Sequence, residues 1–302
     1  MRRNGISRHG KQRWLCRSCG HTFGWTNQLI KYHQLRIWFE RWIVEGYTLR
    51  QLAHQSGHSL STIRRVVRYW LQRPPTLTTV LSSPQYLIFD GTFFERRRGV
   101  FAVMDAERFA IVHAEPNTSE GPTDMQRLCD NIKRRGITPK SATVDGNPHL
   151  IRVLRRCWPS IIIQRCLVHV QRQGLSWCRR FPKRTDAKHL RLLFLRVMAI
   201  QTLDEHAEFL AAVRTWEQRY GHRITHRAET GWVFSDLKRA RSMLLAALPD
   251  MFHYLDDVHI QRSTNALEGY FARLKQRYRQ HRGLAPRHRD AYLRWFIHLC
   301  PR

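Results

Sequence analysis

The sequence predicts an α/β protein: a mixed sheet with helices on both faces and a helical insertion, preceded by a small all-α module. Three features of the 302 residues carry this expectation. Between residues 85 and 180, three consecutive apolar runs are followed by alternating helical and apolar segments. From Asp186 to Leu255 the apolar spacing is helical throughout. About 28–72 is helical too, and Arg73-Pro74-Pro75 with the Thr/Ser/Pro-rich stretch to Pro84 separates it as a linker over 73–84.

Within the α/β region each element has its own signal. Tyr86-Leu-Ile-Phe89 is a short apolar run suited to a buried strand. Gly99–Met104 and Phe109–Ala114 follow as two more, with Asp105-Ala-Glu-Arg108 as the hairpin turn. Thr123–Arg135 has helical spacing and stops at Gly136. Ser141–Val144 is a strand, Asn147–Cys157 a helix, Ile161–Ile163 a strand and Cys166–Arg180 a helix. A last helix is expected from near Thr264 to about Arg279. The order β-β-β-α-β-α-β-α is that of the ribonuclease-H-like fold, in which strand one lies beside strand four. Asp90 and Asp145, each just after one of those strands, would then meet at one sheet edge, where ligands of open α/β sheets collect. The expected domains are a short basic segment over 1–25, a helical module over 28–72, and a domain over 85–302 with its helical insertion at about 181–260.

The 28–72 module shows an apolar face made by Leu29, Leu35, Ile37, Trp38, Trp42 and Ile43, continued by Leu49, Leu52, Ala53, Ile63, Val66, Val67 and Trp70. Thr48 to Trp70 has helix-turn-helix grammar: a helix ending near Gln55, a tight turn at Gly57, and a second helix capped by Ser59 or Ser61. Ser61, Thr62, Arg65 and Arg68 are left facing outward, the residue types a recognition helix carries into a major groove. A plain helical hairpin with a solvated basic face would carry the same pattern.

Charge narrows the class of partner. Lys and Arg number 52 and Asp and Glu 23, a net charge of +29. Such an excess is self-repulsive unless a polyanion neutralises it, and nucleic acid does so with release of condensed counterions. Charge alone does not separate DNA from RNA. No stretch approaches the roughly 20 consecutive apolar residues of a membrane span, and no apolar segment follows the basic N-terminus as in a secretory signal. Seven cysteines, an odd number, argue for free thiols in a reducing cytoplasm.

Three acids stand out against this basic background. Asp90 follows an apolar strand in Phe89-Asp90-Gly91-Thr92, Asp145 repeats the pattern in Val144-Asp145-Gly146, and Glu268 opens the last helix in Thr264-Asn265-Ala-Leu-Glu268-Gly269. Hard carboxylate oxygens are what Mg²⁺ takes, and two such ions can neutralise both oxygens of a phosphoryl transfer. Each acid also has a plainer reading. Asp-Gly is a common turn dipeptide, and Asn265 with Glu268 three residues on resembles a capping box, with Asn265 as N-cap.

At these residues, and at Gln164-Arg-Cys166-Leu-Val-His169 and Arg279-Gln-His-Arg282-Gly283, the chain resembles bacterial insertion-sequence transposases of the DDE class, in the Mutator-like group. The resemblance runs from about Tyr86 to Arg282. It implies Asp90, Asp145 and Glu268 as a metal-binding catalytic triad for Mg²⁺, or Mn²⁺ in its place. It also implies an all-helical insertion between Asp145 and Glu268, which are 268 − 145 = 123 positions apart, against 145 − 90 = 55 for the two aspartates. The implied substrate is double-stranded DNA, both terminal inverted repeats and target, with Arg279 and Arg282 among its contacts. The enzyme would act as a homo-oligomer on the bacterial nucleoid, with no membrane partner. A DNA-binding regulator derived from such an enzyme, or a ribonuclease-H-like nuclease that cuts without joining, would share these features.

Two smaller motifs complete the reading. Cys166 and His169, three apart on one helix face, are too few for a structural zinc site and read as a buried thiol beside a hydrogen-bonded imidazole, auxiliary to the site. Cys16-x-x-Cys19 before Gly20-His-Thr-Phe23 resembles the second knuckle of a zinc ribbon. Its first knuckle is missing, which leaves truncation, or His9, His21 or His33 standing in, and makes Zn²⁺ binding doubtful.

Overall fold

Antiparallel pairing of short polar strands builds the first element of the computed structural model, which describes residues 1–8, 10–24, 28–76, 83–95, 98–226, 231–281 and 283–302. Strands β1 (Arg2–Ile6), β2 (Gln12–Leu15) and β3 (Thr22–Gly24) form a sheet in the order β1-β2-β3. Four helices follow: α1 (Gln28–Gln34), α2 (Arg36–Val44), α3 (Leu49–Ser56) and α4 (Leu60–Leu71). Thr48 and Gln51 close a capping box at the start of α3. Gly57 ends that helix with φ of 66°, a left-handed conformation that glycine adopts without a Cβ penalty. Of the two candidate caps for α4, it is Ser59 whose side chain accepts from Thr62 N–H.

These elements belong to a compact unit of Met1–Pro74 together with Gln280–Trp295. Its core is aromatic. Phe39, Trp42 and Trp70 are buried, and from the C-terminal helix Tyr292 and Trp295 join them. Trp295 Nε1 donates to the Trp70 carbonyl at 2.9 Å, and His281 Nε2 donates to the Trp42 carbonyl at 3.0 Å. The sequence reading therefore needs two corrections here. A helix exists beyond Arg279, and Gln280–Trp295 leaves the expected 85–302 domain because its aromatic residues cover the indoles of Trp42 and Trp70. The face of α2 is also turned from the expected one: Phe39 is fully buried, Ile37 is 54% exposed and Trp38 is half-buried. The side chain of Leu29 and residues 77–82 of the linker lie outside the described residues.

The second unit comprises Pro75–Arg279 and Phe296–Arg302. Strands β4 (Tyr86–Glu95), β5 (Arg98–Asp105), β6 (Ala110–Thr118), β7 (Ser141–Val144) and β8 (Ile162–Arg165) form one sheet in the order β6-β5-β4-β7-β8. The first three pair antiparallel, and β4, β7 and β8 pair parallel. The hairpin turn between β5 and β6 is organised by Asp105, whose Oδ1 accepts from Glu107 N–H and Arg108 N–H. Helices α5 (Pro122–Arg134) and α6 (Pro148–Cys157) pack Met125, Leu128, Ile132, Leu150 and Leu154 on the sheet residues Leu87, Phe89, Val103 and Ala142. Gly136, at φ of 74°, follows α5 as expected of a helix stop.

Helix α7 (Leu167–Cys178) leads from β8 into the helical block: α8 (Thr185–Arg196), α9 (Leu203–Trp216), α10 (His222–His226) and α11 (Trp232–Ala247). Leu167, Val170, Leu190, Phe194, Phe209 and Leu244 share its core. Gly174 is required there, because a Cβ would overlap the ring of Phe194. The chain ends with α12 (Asn265–Gln280) and α13 (Pro286–Leu299), the C-terminal helix introduced above. Among the described residues no helix is long and apolar enough to cross a membrane.

Candidate active site

Two adjacent parallel strands position the aspartates. Strands β4 and β7 pair Tyr86 with Ser141, Leu87 with Ala142 and Ile88 with Thr143. Asp90 lies two residues past the last pair, still on β4, and Asp145 two residues past it, just beyond the end of β7. The sequence reading placed Asp90 after strand one. Instead it lies within β4, which continues to Glu95 because β5 still pairs with it after β7 has ended. Asp90 is 7% exposed, and its Oδ1 accepts from Gly91 N–H at 2.8 Å.

Asp145 opens the turn into α6. Its Oδ1 accepts from Asn147 N–H at 2.9 Å, while Asn147 Oδ1 caps the helix through His149 and Leu150 N–H. Asn147 Nδ2 donates to the Glu120 carbonyl at 3.2 Å and ties this turn to the segment before α5. Gly146 has φ of 112°, and a Cβ there would overlap the guanidinium of Arg165.

Glu268 arrives from far along the chain, and a stitched backbone brings it. Thr143 Oγ1 donates to the Gln261 carbonyl at 2.7 Å, and Leu167 N–H to the Arg262 carbonyl at 2.9 Å. Thr264 N–H donates to Cys166 Sγ at 3.3 Å. The segment before α12 is thus held on β7 and on the junction of β8 with α7. Helix α12 begins at Asn265, so the expected N-cap role of Asn265 moves back to the position of Thr264, whose carbonyl accepts from Glu268 N–H. Glu268 is 33% exposed and faces His169 Nε2 at 3.5 Å and Arg172 Nη1 at 3.6 Å.

Cys166 and His169 form the base of this arrangement. Cys166 is fully buried, and its Sγ lies 3.2 Å from His169 Nδ1. Burial alone raises a thiol pKa, but hydrogen bonds from His169 and Thr264 bring that of Cys166 below its ordinary value. His169 is held up to about 9, first by its hydrogen bond to Cys166 and then, against burial, by the charges of Cys166, Asp90 and Asp145. The imidazole thus stands between the buried thiol and Glu268.

The electrostatics are those of crowded anions. Burial pushes Asp90 up to about 7, opposed by the Gly91 hydrogen bond and by His169 but reinforced by Asp145 and Glu268. A fourth acid, Glu120, lines a cavity of about 460 Å³ together with Asp145, Arg165 and His169. Burial, with the charge of Asp145, raises its pKa. Glu120 escaped the sequence reading, although it too stands at an element end, between β6 and the Pro122 that opens α5. Among the described residues no three His, Cys, Asp or Glu side chains form a group that would hold a metal ion as placed.

The other candidates lie elsewhere. Ser61, Arg65 and Arg68 are exposed on α4 and Thr62 is half-buried, with the hydroxyls of Ser61 and Thr62 both bonded to Ser59 Oγ. Arg279 is exposed near the end of α12, and Arg282 and His9 lie outside the described residues. Cys16 and Cys19 flank a tight turn in which Gly20 N–H donates to the Cys16 carbonyl. A hydrogen bond from Ser18, with backbone N–H groups of Cys19 and Ser18, lowers the pKa of Cys16 to about 6. Two thiols supply only half of the four ligands that a structural zinc site takes.

With the acids of β4, β7 and α12 gathered at one edge of a mixed sheet, comparison with known proteins gives the class. The model of the Mutator family of transposases matches residues 102–295, well over half of the chain, and the chain belongs to that family. Asp145 and Glu268 fall within the match, and Asp90 precedes it. The chain is also similar to the transposase for insertion sequence element IS905 of Lactococcus lactis subsp. lactis (strain IL1403), at 24% identity over 147 residues. That similarity covers 44% of this chain and 36% of the relative, so the chain spans little more than a third of that protein's length.

Proposed function

We propose that this chain is a DDE-type transposase that binds the ends of its element, cleaves DNA and joins the freed 3′-OH to target DNA. Asp90, Asp145 and Glu268 are its catalytic acids. The observation that carries the reading is the placement of Asp90 on β4 and of Asp145 just past the end of the neighbouring parallel strand β7, with the segment leading to Glu268 hydrogen-bonded to β7 and to the start of α7. The β6-β5-β4-β7-β8 order supports a ribonuclease-H-like assignment. Membership of the Mutator family supports DNA as substrate.

The donor set suits Mg²⁺ or Mn²⁺. Asp90 is a buried carboxylate crowded by Asp145 and Glu268, an arrangement that a hard divalent cation relieves. Such ions, when bound, neutralise charge on the attacking and leaving oxygens of a phosphodiester. Asp90 and Asp145 would hold them first, each fixed by a backbone N–H. Glu268 would complete the set by turning from His169 and Arg172. The buried Cys166–His169 pair keeps α7 and the Thr264 segment in register, and so fixes the start of α12.

The paired helices α3 and α4 serve as a helix-turn-helix that presents Ser61, Thr62, Arg65 and Arg68 to the major groove, aided by the charge of +29. The test is a nicking and strand-transfer assay with Mg²⁺ or Mn²⁺ on duplexes carrying the DNA that flanks the gene, using cut and pre-cut ends. Asp145→Ala is expected to abolish both reactions while leaving DNA affinity within a few-fold. Full activity of that variant would end the proposal.

A further inference from the structure

Arg165 ends β8, opposite Val144 on β7 and beside the turn that carries Asp145. Its guanidinium is largely buried, and burial pulls its pKa down from the ordinary value. Yet among the described residues its Nε has no hydrogen-bond partner, and the guanidinium's one hydrogen bond is a long one, Nη2 to the Asp145 carbonyl at 3.5 Å. Among the described residues no carboxylate lies within ion-pair distance of it. Arg155 makes the contrast: on the rim of the adjoining cavity, it is paired with Asp250 at 2.8 Å.

A buried guanidinium without a bonded carboxylate is costly, and here the charges of Asp145 and Asp250, which act from a distance, offset its desolvation only in part. The fold nonetheless makes room for it. Gly146 lacks the Cβ that would displace the guanidinium, and it adopts a φ of 112° that few other residues tolerate. Arg165 also lines two cavities, one of about 460 Å³ shared with Asp145 and a neighbour of about 570 Å³ shared with Gly146 and Met243. A planar fork of N–H donors, left without a carboxylate partner at a cavity wall, is suited to a phosphate.

We propose that Arg165 is a phosphate-binding residue of this site, its guanidinium taking non-reacting oxygens of a DNA phosphate in the cavity it shares with Asp145. The inference rests on the DNA-cleaving function proposed above and adds to the three acids the cation that orients their substrate. Asp145 and Glu120 line the same cavity and repel an anion, so the phosphate binds there together with a divalent cation. Gly146 serves as a positioning residue, leaving the space that the guanidinium fills.

The experiment titrates the full chain with thymidine 3′,5′-bisphosphate by calorimetry, with Ca²⁺ present. Arg165→Gln, Arg165→Lys and the control Arg155→Gln are compared with the wild type. Loss of a charge-assisted contact of about 1.5–3 kcal/mol corresponds to roughly 10- to 100-fold weaker binding. That loss is expected for Arg165→Gln, a smaller one for Arg165→Lys, and none for Arg155→Gln. Equal affinity of Arg165→Gln and wild type overturns the proposal. Should Arg165→Gln not fold, glyoxal modification of wild-type Arg165, mapped by mass spectrometry, decides: the bisphosphate shields it if the proposal holds and leaves its rate unchanged if not. A wild-type chain that binds the bisphosphate through Arg165 but neither nicks nor joins DNA would overturn the transposase reading and leave the anion site standing.

Discussion

Asp90 and Asp145 keep the offset of a parallel strand pair: β4 and β7 are offset by 141 − 86 = 55 positions as far as Ile88 and Thr143, and just beyond that pairing 90 + 55 = 145. In a parallel ladder, partners at one level project from the same face of the sheet. Fifty-four residues of intervening chain, two strands and a helix among them, return to place one carboxylate beside the other. The crowding of Asp90 by Asp145 follows from that register, while the backbone hydrogen bond at Asp145 belongs to the turn into α6.

Gly146 protects the register at its end. Gly146→Ala is expected to cost about 1–3 kcal/mol in backbone strain alone, and more as Arg165 is forced aside. Urea denaturation should give a lower midpoint with an unchanged slope. A midpoint equal to wild type would show that the turn absorbs a side chain.

Glu115 provides a pH test remote from the acids. Burial raises its pKa, but hydrogen bonds from His113, Asn131 and Arg127 outweigh burial and hold it down to about 2. A depressed folded pKa contributes stability that is present above the unfolded value of about 4.3 and is lost as pH falls through the folded one. Glu115→Gln should therefore be less stable than wild type by a few kcal/mol near neutrality, with the gap closing below about pH 4. Melting temperatures of both proteins from pH 7 to pH 3 check this, and parallel curves would contradict it.

Two helical glycines should respond in opposite directions. Alanine gains about 1 kcal/mol over glycine in a helix, and nothing lies within 4 Å of a Cβ at Gly269. At Gly174 the methyl meets the fully buried ring of Phe194, and overpacking costs about 1–3 kcal/mol. Calorimetry is expected to raise the Tm for Gly269→Ala and lower it for Gly174→Ala.

Removing the thiol of Cys166 leaves Thr264 N–H and the His169 ring without their partner. Cys166→Ala should cost about 1–3 kcal/mol and slow DNA cleavage by loosening the start of α12, while DNA affinity stays unchanged. Cys166→Ser, which keeps an acceptor, should recover part of both. Wild-type cleavage by the alanine variant would remove the pair from the account of the site.

On α4, Arg65→Ala and Arg68→Ala test base and phosphate contact. A base-reading arginine is expected to cost about 1–3 kcal/mol on the element end and little on mixed-sequence DNA. A phosphate-binding one weakens both and reduces the salt slope by about one. Electrophoretic shifts at several salt concentrations separate the two, and no change in either variant would leave α4 with a structural role only.

Much of this was legible in the linear chain. Strand β7 falls on Ser141–Val144 as read, since an apolar run bounded by Asp-Gly has few alternatives. Gly57 and Gly136 stop helices where their backbone freedom predicts. The length of β4 was not legible, because its second half is held by β5 and not by its own pattern. Neither was α13, whose indole and phenol belong to the aromatic core built by Trp42 and Trp70.

The sequence by itself determined the periods, the turns, the excess of positive charge and the acids Asp145 and Glu268 at element ends, because each depends on residues within a few positions of one another. Only the tertiary structure decided that Glu268 hangs from Thr143 and Cys166, that Glu120 joins the acids, and that Arg165 fills the space Gly146 leaves. Those relations span tens to more than a hundred positions. They are set by which surfaces bury together, a choice that no local pattern encodes.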